Sequence, residues 1–515
     1  MLELQEAYLN ELLQLEGDLP GRLSAQGHLN SSTARYQNVI IGMGYLPKLF
    51  DQAALEYLDA VTKRTYGILD KMTQQYIKDA EYRSLFCFSP LLEQLILLPS
   101  GYDCTIPICR IDLFLNEHNG SFKFCEFNTD GTSAMNEDRE VVNSLVNTPV
   151  FQSFAATHKV FAQELFDPWT ETFIEIYRAS DSAVEQPVVA VLDYLERAVV
   201  DEQLEFKQRF EQAGFHCLLC DVSSLEYRDG ILYGNDASQL TTLTSSLLIP
   251  NSQRIDAIYR RAVTFELLRE LEESQDEVLR ILSGEQGNQP LRGALALLAA
   301  VVEKKVCLIG SFATQVAHSK TSFCMLHHPK THEFLTEEEC SFVAEHVPFT
   351  TWLKPELIDV DLIKNTPECW IIKPVDGYGT VGVYAGKSFD KLAWGRLIDE
   401  KLQEDYIIQE YCTQFQTPNT MPIPQDASGK ALFVDLAQAE ELETNGLFKS
   451  ASLEPHNILT GLFCYGGKFS GIYLRAGRDA LIVGFRGGLA LGTLLVDYEP
   501  GNTPFIRPRA LKPDN

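Results

Sequence analysis

The stretch Cys109-Arg-Ile-Asp-Leu-Phe-Leu-Asn-Glu-His-Asn-Gly-Ser-Phe-Lys-Phe-Cys-Glu-Phe-Asn-Thr-Asp130 decides the reading of the chain. Two strand-like runs flank His118-Asn119-Gly120, and a three-residue loop with Gly120 in the left-handed position is a common hairpin connection. That loop makes Glu117 face Ser121, and Asp112 then lies directly opposite Glu126. Alternation puts Arg110, Asp112, Glu126 and Asn128 on one face with Phe114 and Phe124. Ile111, Leu113, Leu115, Cys125 and Phe127 fill the other. A two-residue Asn-Gly turn would mix charge into the apolar face, so the pattern selects the longer loop. Opposed carboxylates repel, so a cation is expected between Asp112 and Glu126. With the Asn128 carbonyl they form a set of hard oxygen ligands suited to magnesium bridged to phosphates. The bland alternative is a solvated face on which Arg110 neutralises Asp112.

Further along, Trp370-Ile-Ile-Lys373-Pro-Val-Asp-Gly-Tyr-Gly-Thr-Val-Gly382-Val-Tyr has G-x-G-x-x-G spacing at Gly377, Gly379 and Gly382. A dinucleotide fold needs a helix after those glycines, whereas a strand over Val381–Tyr384 is expected here. A protein-kinase loop has its lysine downstream, and Lys373 comes before. What fits is a strand ending in lysine, followed by a glycine-rich hairpin tip able to lay backbone N–H groups over phosphates. A lysine in the apolar run Cys369-Trp-Ile-Ile is costly without an anionic partner. Lys320 stands upstream as a second candidate. Gln409-Glu410 ends a strand and could meet an adenosine, and Arg475 follows the strand Gly471–Leu474, suited to a transferring phosphoryl group.

Around these motifs the pattern predicts helices over Leu2–Leu15, Ala53–Asp79 and 140–180. Strands at Val188–Leu195, Phe215–Val222 and Ile255–Tyr259, with a helix at Asp201–Gly214 between the first two, suggest a small Rossmann-like lobe. A helical stretch from Val263 to Val302 follows. Strands are expected at Ile407–Tyr411, Leu432–Ala437, Gly461–Cys464, Gly471–Leu474 and Leu491–Val496. At 515 residues the chain is too long for one core. The expected division is a mainly helical region over 1–105, the hairpin region with its candidate metal ligands over 106–150, the Rossmann-like lobe over 151–300 and a strand-rich region with the candidate nucleotide lysines over 301–515.

The net charge of −28 argues against nucleic acid and is compatible with a cationic substrate such as a polyamine. The apolar run Ala294–Val302 falls short of the roughly 20 residues that span a bilayer. Met1-Leu2-Glu3-Leu4 has no basic start, so no signal peptide is expected. The 12 cysteines read as reduced core residues of a cytoplasmic protein. Period-2 alternation places Cys217 and Cys220 on opposite strand faces, away from any shared metal.

Taken together, Arg110-x-Asp112…Glu126-x-Asn128-x-Asp130, then Lys320, Lys373, Gln409-Glu410-Tyr411 and Arg475, resemble the ATP-grasp superfamily. Most of its members place the Asp…Glu-x-Asn motif after the nucleotide lysines. The order here is similar to the circularly permuted, glutathionylspermidine synthase-like family. The resemblance implies an α/β (α+β) ATP-grasp fold with a Rossmann-like pre-ATP-grasp lobe. It implies an ATP- and magnesium-dependent ligase that joins a carboxylate to an amine, both small molecules, through an acyl-phosphate. Asp112, Glu126 and Asn128 would hold magnesium. Lys320 and Lys373 would hold phosphates under a lid of Gly377, Gly379, Thr380 and Gly382, with Gln409, Glu410 and Tyr411 at the adenosine. Arg110 and Arg475 would stabilise the transferring charge, and Asp130, Ser133, Arg261 and Glu266 would face the substrates. The glycine loop and Tyr259–Glu266 depart from the family pattern, so neither glutathione nor spermidine is implied. The rival from another class is a nucleotide-binding scaffold or regulatory protein without turnover.

Overall fold

The computed structural model describes residues 1–36, 39–239, 252–285, 287, 289–375, 381–424, 431–446, 449–482, 487–499 and 506–511. At its centre the hairpin Ile108–Leu115 and Phe122–Asn128 extends into a six-stranded sheet. Ile108–Leu115 lies between Phe122–Asn128 and Glu454–Tyr465. The sheet continues through Lys468–Gly477 to Leu489–Leu491, and Gln416–Asn419 adds to Glu454–Tyr465. The two long strands are joined at Gly466 and Gly467, both with positive φ, a conformation that glycine adopts without steric cost.

The hairpin reaches the expected pairing by a different route. Asn116 and Ser121 bracket a four-residue turn, with Asn116 N–H donating to the Ser121 carbonyl and Gly120 N–H to the Asn116 carbonyl, both at 2.8 Å. Near the turn Leu113 therefore pairs with Phe124 and Phe114 with Lys123. An irregularity between Asp112 and Leu113 leaves Cys125 as an extra residue, and beyond it Asp112 faces Glu126 and Arg110 faces Asn128. Two side-chain placements change, those of Phe124 and Cys125. Phe124 joins Leu113, Ile111 and Phe127 in the main core instead of sharing the face of Asp112. Cys125, the bulged residue, is only partly buried.

The amphipathic helix Gln52–Lys78, capped by the Asp51 carboxylate on the Ala54 amide, buries Leu55, Leu58, Ile68, Leu69 and Met72 in that core. A second sheet is wholly parallel, in the order Cys307–Ile309, Ala257–Arg260, Val188–Asp193, His216–Asp221. From Val188–Asp193 the chain moves outward to His216–Asp221, then returns to the other side. A topological switch point therefore lies at the carboxyl ends of Val188–Asp193 and Ala257–Arg260. Cys217 and Cys220 are buried in different core clusters, as strand alternation requires. A small antiparallel sheet orders Thr350–Trp352, Tyr406–Glu410, Trp370–Pro374 and Tyr384–Ala385.

Three local expectations are corrected. The 140–180 stretch contains the strand Val160–Glu164, which pairs with Thr493–Val496 and Arg507–Ala510. Leu432–Ala437 is no strand, because the Asp435 side chain accepts from the Gln438 amide and starts the helix Leu436–Thr444. Leu491–Val496 divides at Gly492 into strands of two different sheets.

The bulge predicts a mutational pattern. Leu113→Asn and Phe124→Asn each bury an amide in the core and should cost about 2–4 kcal/mol in denaturant melts. Phe114→Asn, on the half-buried opposite face, should cost far less. Equal costs at Phe114 and Phe124 would restore the simpler register.

Candidate active site

Arg110 and Asp112 are neighbours on one face of a central strand, and the pair is bidentate. Nε donates to Oδ1 at 2.7 Å and Nη2 to Oδ2 at 2.9 Å. Arg110 Nη1 reaches the Ser133 carbonyl at 2.8 Å, and Asn128 Nδ2 donates to Asp112 Oδ2 at 3.0 Å. Burial pushes the Asp112 carboxyl up, and Arg110 draws it part of the way back. Room for the pair comes from Gly461 on the adjoining strand. A Cβ there would meet Arg110 Cδ and Asp112 Oδ1, each at 2.7 Å.

The cation expected between the opposed carboxylates is thus supplied in part by the chain. Burial raises the Glu126 carboxyl, but Lys320, Lys373, Arg110 and His318 outweigh it and hold Glu126 below the usual carboxylate range. Lys373 is itself buried and donates to Gln409 Oε1 at 2.8 Å and to the Cys125 carbonyl at 3.1 Å. The bulge therefore has a consequence, since the main chain at the extra residue holds the lysine of the small sheet. Gln409 Nε2 in turn donates to Thr350 Oγ1 at 2.8 Å. Tyr411 Oη is bonded to Gln414 and the Ala480 carbonyl, and Lys387 lies 4.3 Å above the Tyr411 ring.

Arg475 Nε donates to Tyr473 Oη at 3.0 Å, and the Tyr473 hydroxyl donates to Glu137. Both guanidinium carbons, of Arg110 and Arg475, lie 5.2 Å from the Tyr473 ring centre. Asp130 is buried against Arg260 at 2.6 Å and accepts from the Thr264 amide at 2.7 Å. Glu202, fully buried, accepts from Ser133 Oγ, the Ala134 and Asn136 amides and Arg261 Nη2 at 3.0–3.1 Å. Glu266 pairs with Arg197 at 3.1 Å.

One cavity of about 360 Å³ gathers these groups. Arg110, Asp112, Glu126, Asn128, Asp130, Ser133, Arg261, Glu266, Lys320, Lys373, Gln409, Glu410, Tyr411 and Arg475 all line it. Gly377, Gly379 and Thr380 lie outside the described residues, and Gly382, with φ of +74°, packs by Tyr406 and Pro374 without reaching the lining. Sequence reasoning missed Gly461, Glu202, Arg260, Tyr473, Glu137, Asp193 and His318. The Arg260-Arg261 doublet at a strand end was the available signal for Arg260, and the others needed the tertiary fold.

Among the described residues no three His, Cys, Asp or Glu side chains converge on a ready-made metal site. The donor set still fits magnesium, which keeps several waters and takes phosphate oxygens. Arg110 already meets both Asp112 oxygens, so Glu126 would carry most of the protein's share. An Asn that donates its nitrogen to Asp112 keeps its oxygen for a cation.

No protein-family model and no curated protein matches the chain. Among solved structures it is similar to a glutathione synthetase-like effector from Globodera pallida in its apo form. The TM-score is 0.51 at 10% identity, covering 92% of this chain and 96% of that one. The likeness is one of fold. The chain has a mixed α/β architecture of several sheets, and its fold is like that of this effector. D-alanyl-alanine synthetase A from Vibrio cholerae matches with a TM-score of 0.27 at 12% identity, over 63% of this chain and 92% of that one, too low to carry an argument.

Gly461→Ala should displace the Arg110–Asp112 pair and cost about 1–3 kcal/mol, the range of overpacked cores. Gly27→Ala, in the helix Leu19–Ser31 with nothing within 4 Å of the added carbon, should stabilise by about 0.5–1 kcal/mol. Paired denaturant melts check both. A tolerated Gly461→Ala would show that the ion pair has room to move.

Proposed function

We propose that the chain is an ATP- and magnesium-dependent ligase that joins a carboxylate to an amine through an acyl-phosphate. The observation that carries this reading is the convergence of Lys320, Lys373, Arg110 and Arg475 on one cavity beside the Asp112–Glu126 pair. Cations grouped beside that pair suit a polyphosphate with its metal, and an ordinary apolar ligand would have no use for them. On this reading the order of the motifs is that of a circularly permuted member, and the Gln409–Tyr411 end of the cavity takes the adenosine.

Glu126, with Asp112 and Asn128, would hold the magnesium, which would supply positive charge against the phosphates. Lys373, fixed by Gln409 and the Cys125 carbonyl, presents its ammonium to the phosphates without reorganisation. The substrate carboxylate attacks the γ-phosphorus, and the bond to the β-phosphate oxygen breaks. Arg475, oriented by Tyr473, and Arg110, oriented by Asp112, meet the charge on the transferring group. The amine nitrogen then attacks the acyl carbon, inorganic phosphate leaves, and the nitrogen loses a proton to give the amide.

ATP with magnesium should raise the melting temperature, since a ligand that binds only the native state stabilises it by mass action. Phosphate should be released only when a carboxylate and an amine are both present. Lys373→Ala should lose that release while melting cooperatively, and Lys373→Arg should also be impaired, because a planar fork does not replace a compact ammonium. A melt indifferent to millimolar nucleotide would refute nucleotide binding. Nucleotide binding without phosphate release for any substrate pair would favour a scaffold.

A further inference from the structure

Arg110 and Arg475 line the same cavity, but their nitrogens are used differently. Arg110 has Asp112 as a bidentate counter-ion, which occupies Nε and Nη2. Arg475 donates Nε to Tyr473 Oη at 3.0 Å, and among the described residues neither of its terminal nitrogens makes a hydrogen bond. Glu137 stays 4.0 Å from Arg475 Nη2, near enough to balance the charge and too far for a hydrogen bond. The Tyr473 hydroxyl stands between them. A phenol has one proton, and an arginine nitrogen can only donate. Burial drives the Tyr473 ionisation up, so the proton stays on the oxygen, and Glu137 accepts it. A lone pair is thereby left for Arg475 Nε. Glu137 is itself held in the first turn of the helix Met135–Leu145. Glu202 takes the Ala134 and Asn136 amides there, and Asp138 accepts from Gln163 Nε2 at 2.9 Å and from the Thr493 amide at 3.0 Å.

We propose that Glu137 is a positioning residue for phosphoryl transfer, acting through the Tyr473 hydroxyl to aim the two terminal nitrogens of Arg475 at the γ-phosphate. The proposal rests on the ligase reading. A direct carboxylate pair, such as Asp112 makes with Arg110, would also orient Arg475, but it would occupy nitrogens that a phosphoryl oxygen needs. With the tyrosine placed between the charges, Arg475 is oriented through Nε alone and its fork stays available. A donor fixed in advance need not reorganise as charge develops on the transferring group.

The test measures calorimetric affinities of the full chain for ADP and for a non-hydrolysable ATP analogue, each with magnesium. The two probes differ by the γ-phosphate, so the ratio of their affinities isolates what meets that group. Arg475→Ala should lower the ratio about 10-fold or more, the worth of a charge-assisted hydrogen bond. Glu137→Ala and Tyr473→Phe should each lower it by a similar factor. The double variant should fall no further than Tyr473→Phe alone, because the carboxylate acts through the hydroxyl. Glu137→Gln, whose amide oxygen can still accept from that hydroxyl, should give a smaller loss. Retained ADP binding shows that a variant is folded, and Tyr473→Phe with Glu137→Gln carries the test if Glu137→Ala does not fold. A ratio unmoved by Arg475→Ala, Glu137→Ala or Tyr473→Phe would overturn the proposal. So would additive losses in the double variant, or a Glu137→Gln loss equal to that of Tyr473→Phe. If the unmodified protein binds neither nucleotide, the ligase reading fails and this inference with it, whereas nucleotide binding with an unmoved ratio sinks the inference alone.

Discussion

The Arg110–Asp112 pair sits in the middle of the central sheet, and much of the site is arranged around the cost of burying it. Removing two charges from water is expensive, and their attraction compensates only when geometry is good and the remaining donors are satisfied. Both conditions are met here. The contact is bidentate, Nη1 is taken by the Ser133 carbonyl, and Asn128 supplies a further donor to Asp112. Gly461, with no side chain, leaves space on the neighbouring strand, and Tyr473 provides a ring beneath the guanidinium. Because Nη1 holds Ser133, the pair also anchors the loop that Glu202 grips from the other side. That loop carries Asp130 and Ser133 into the cavity. Without the ion pair, the loop would lose its attachment to the central sheet at Ser133.

Much of this was legible in the sequence, for reasons that also explain what was not. Side-chain alternation reports parity, and parity survived because two departures from the simple hairpin cancel. The turn is one residue longer than expected, and the bulge at Cys125 takes that residue back up. Asp112 and Glu126 thus face each other as expected, while Phe124, between turn and bulge, lies on the other face. The strands of the parallel sheet were readable from their apolar runs, since both their faces are buried. Glu202 was not readable. It lies in an amphipathic helix where a glutamate passes for a solvent-facing residue, and only the tertiary fold brings the 133–136 loop over it. Gly461 was equally silent, because its role is the absence of a Cβ beside groups from a remote segment. The helix at Leu436 displaced an apolar strand pattern through one capping aspartate, a local hydrogen bond that alternation does not weigh.

The distribution of charge gives the site its character. The chain carries a formal net charge of −28, yet it gathers Lys320, Lys373, Arg110 and Arg475 in one cavity. Some of these cations are compensated locally and others are turned toward Glu126, which they hold ionised against the effect of burial. The cavity as a whole is not cationic, since Asp130, Glu137, Asp193, Glu266 and Glu410 line it as well. Its positive charge is grouped locally around Glu126, where low-dielectric walls screen the cations less than water would.

The bulge at Cys125 connects these arguments. The carbonyl of this extra residue, on the edge strand of the sheet, accepts from Lys373 Nζ, which also donates to Gln409 Oε1. Lys373 stands on a different sheet, whose strands Trp370–Pro374 and Tyr406–Glu410 have a separate core around Trp394, Ile372 and Ile408. The carbonyl is neutral, so it fixes the ammonium without cancelling its charge, as a carboxylate would. Glu126, the next residue along, supplies the negative charge from a distance, where it lowers the energy of the buried cation and is itself kept ionised. A single inserted residue thus places a neutral acceptor and a carboxylate side by side, one to hold the lysine and one to balance its charge.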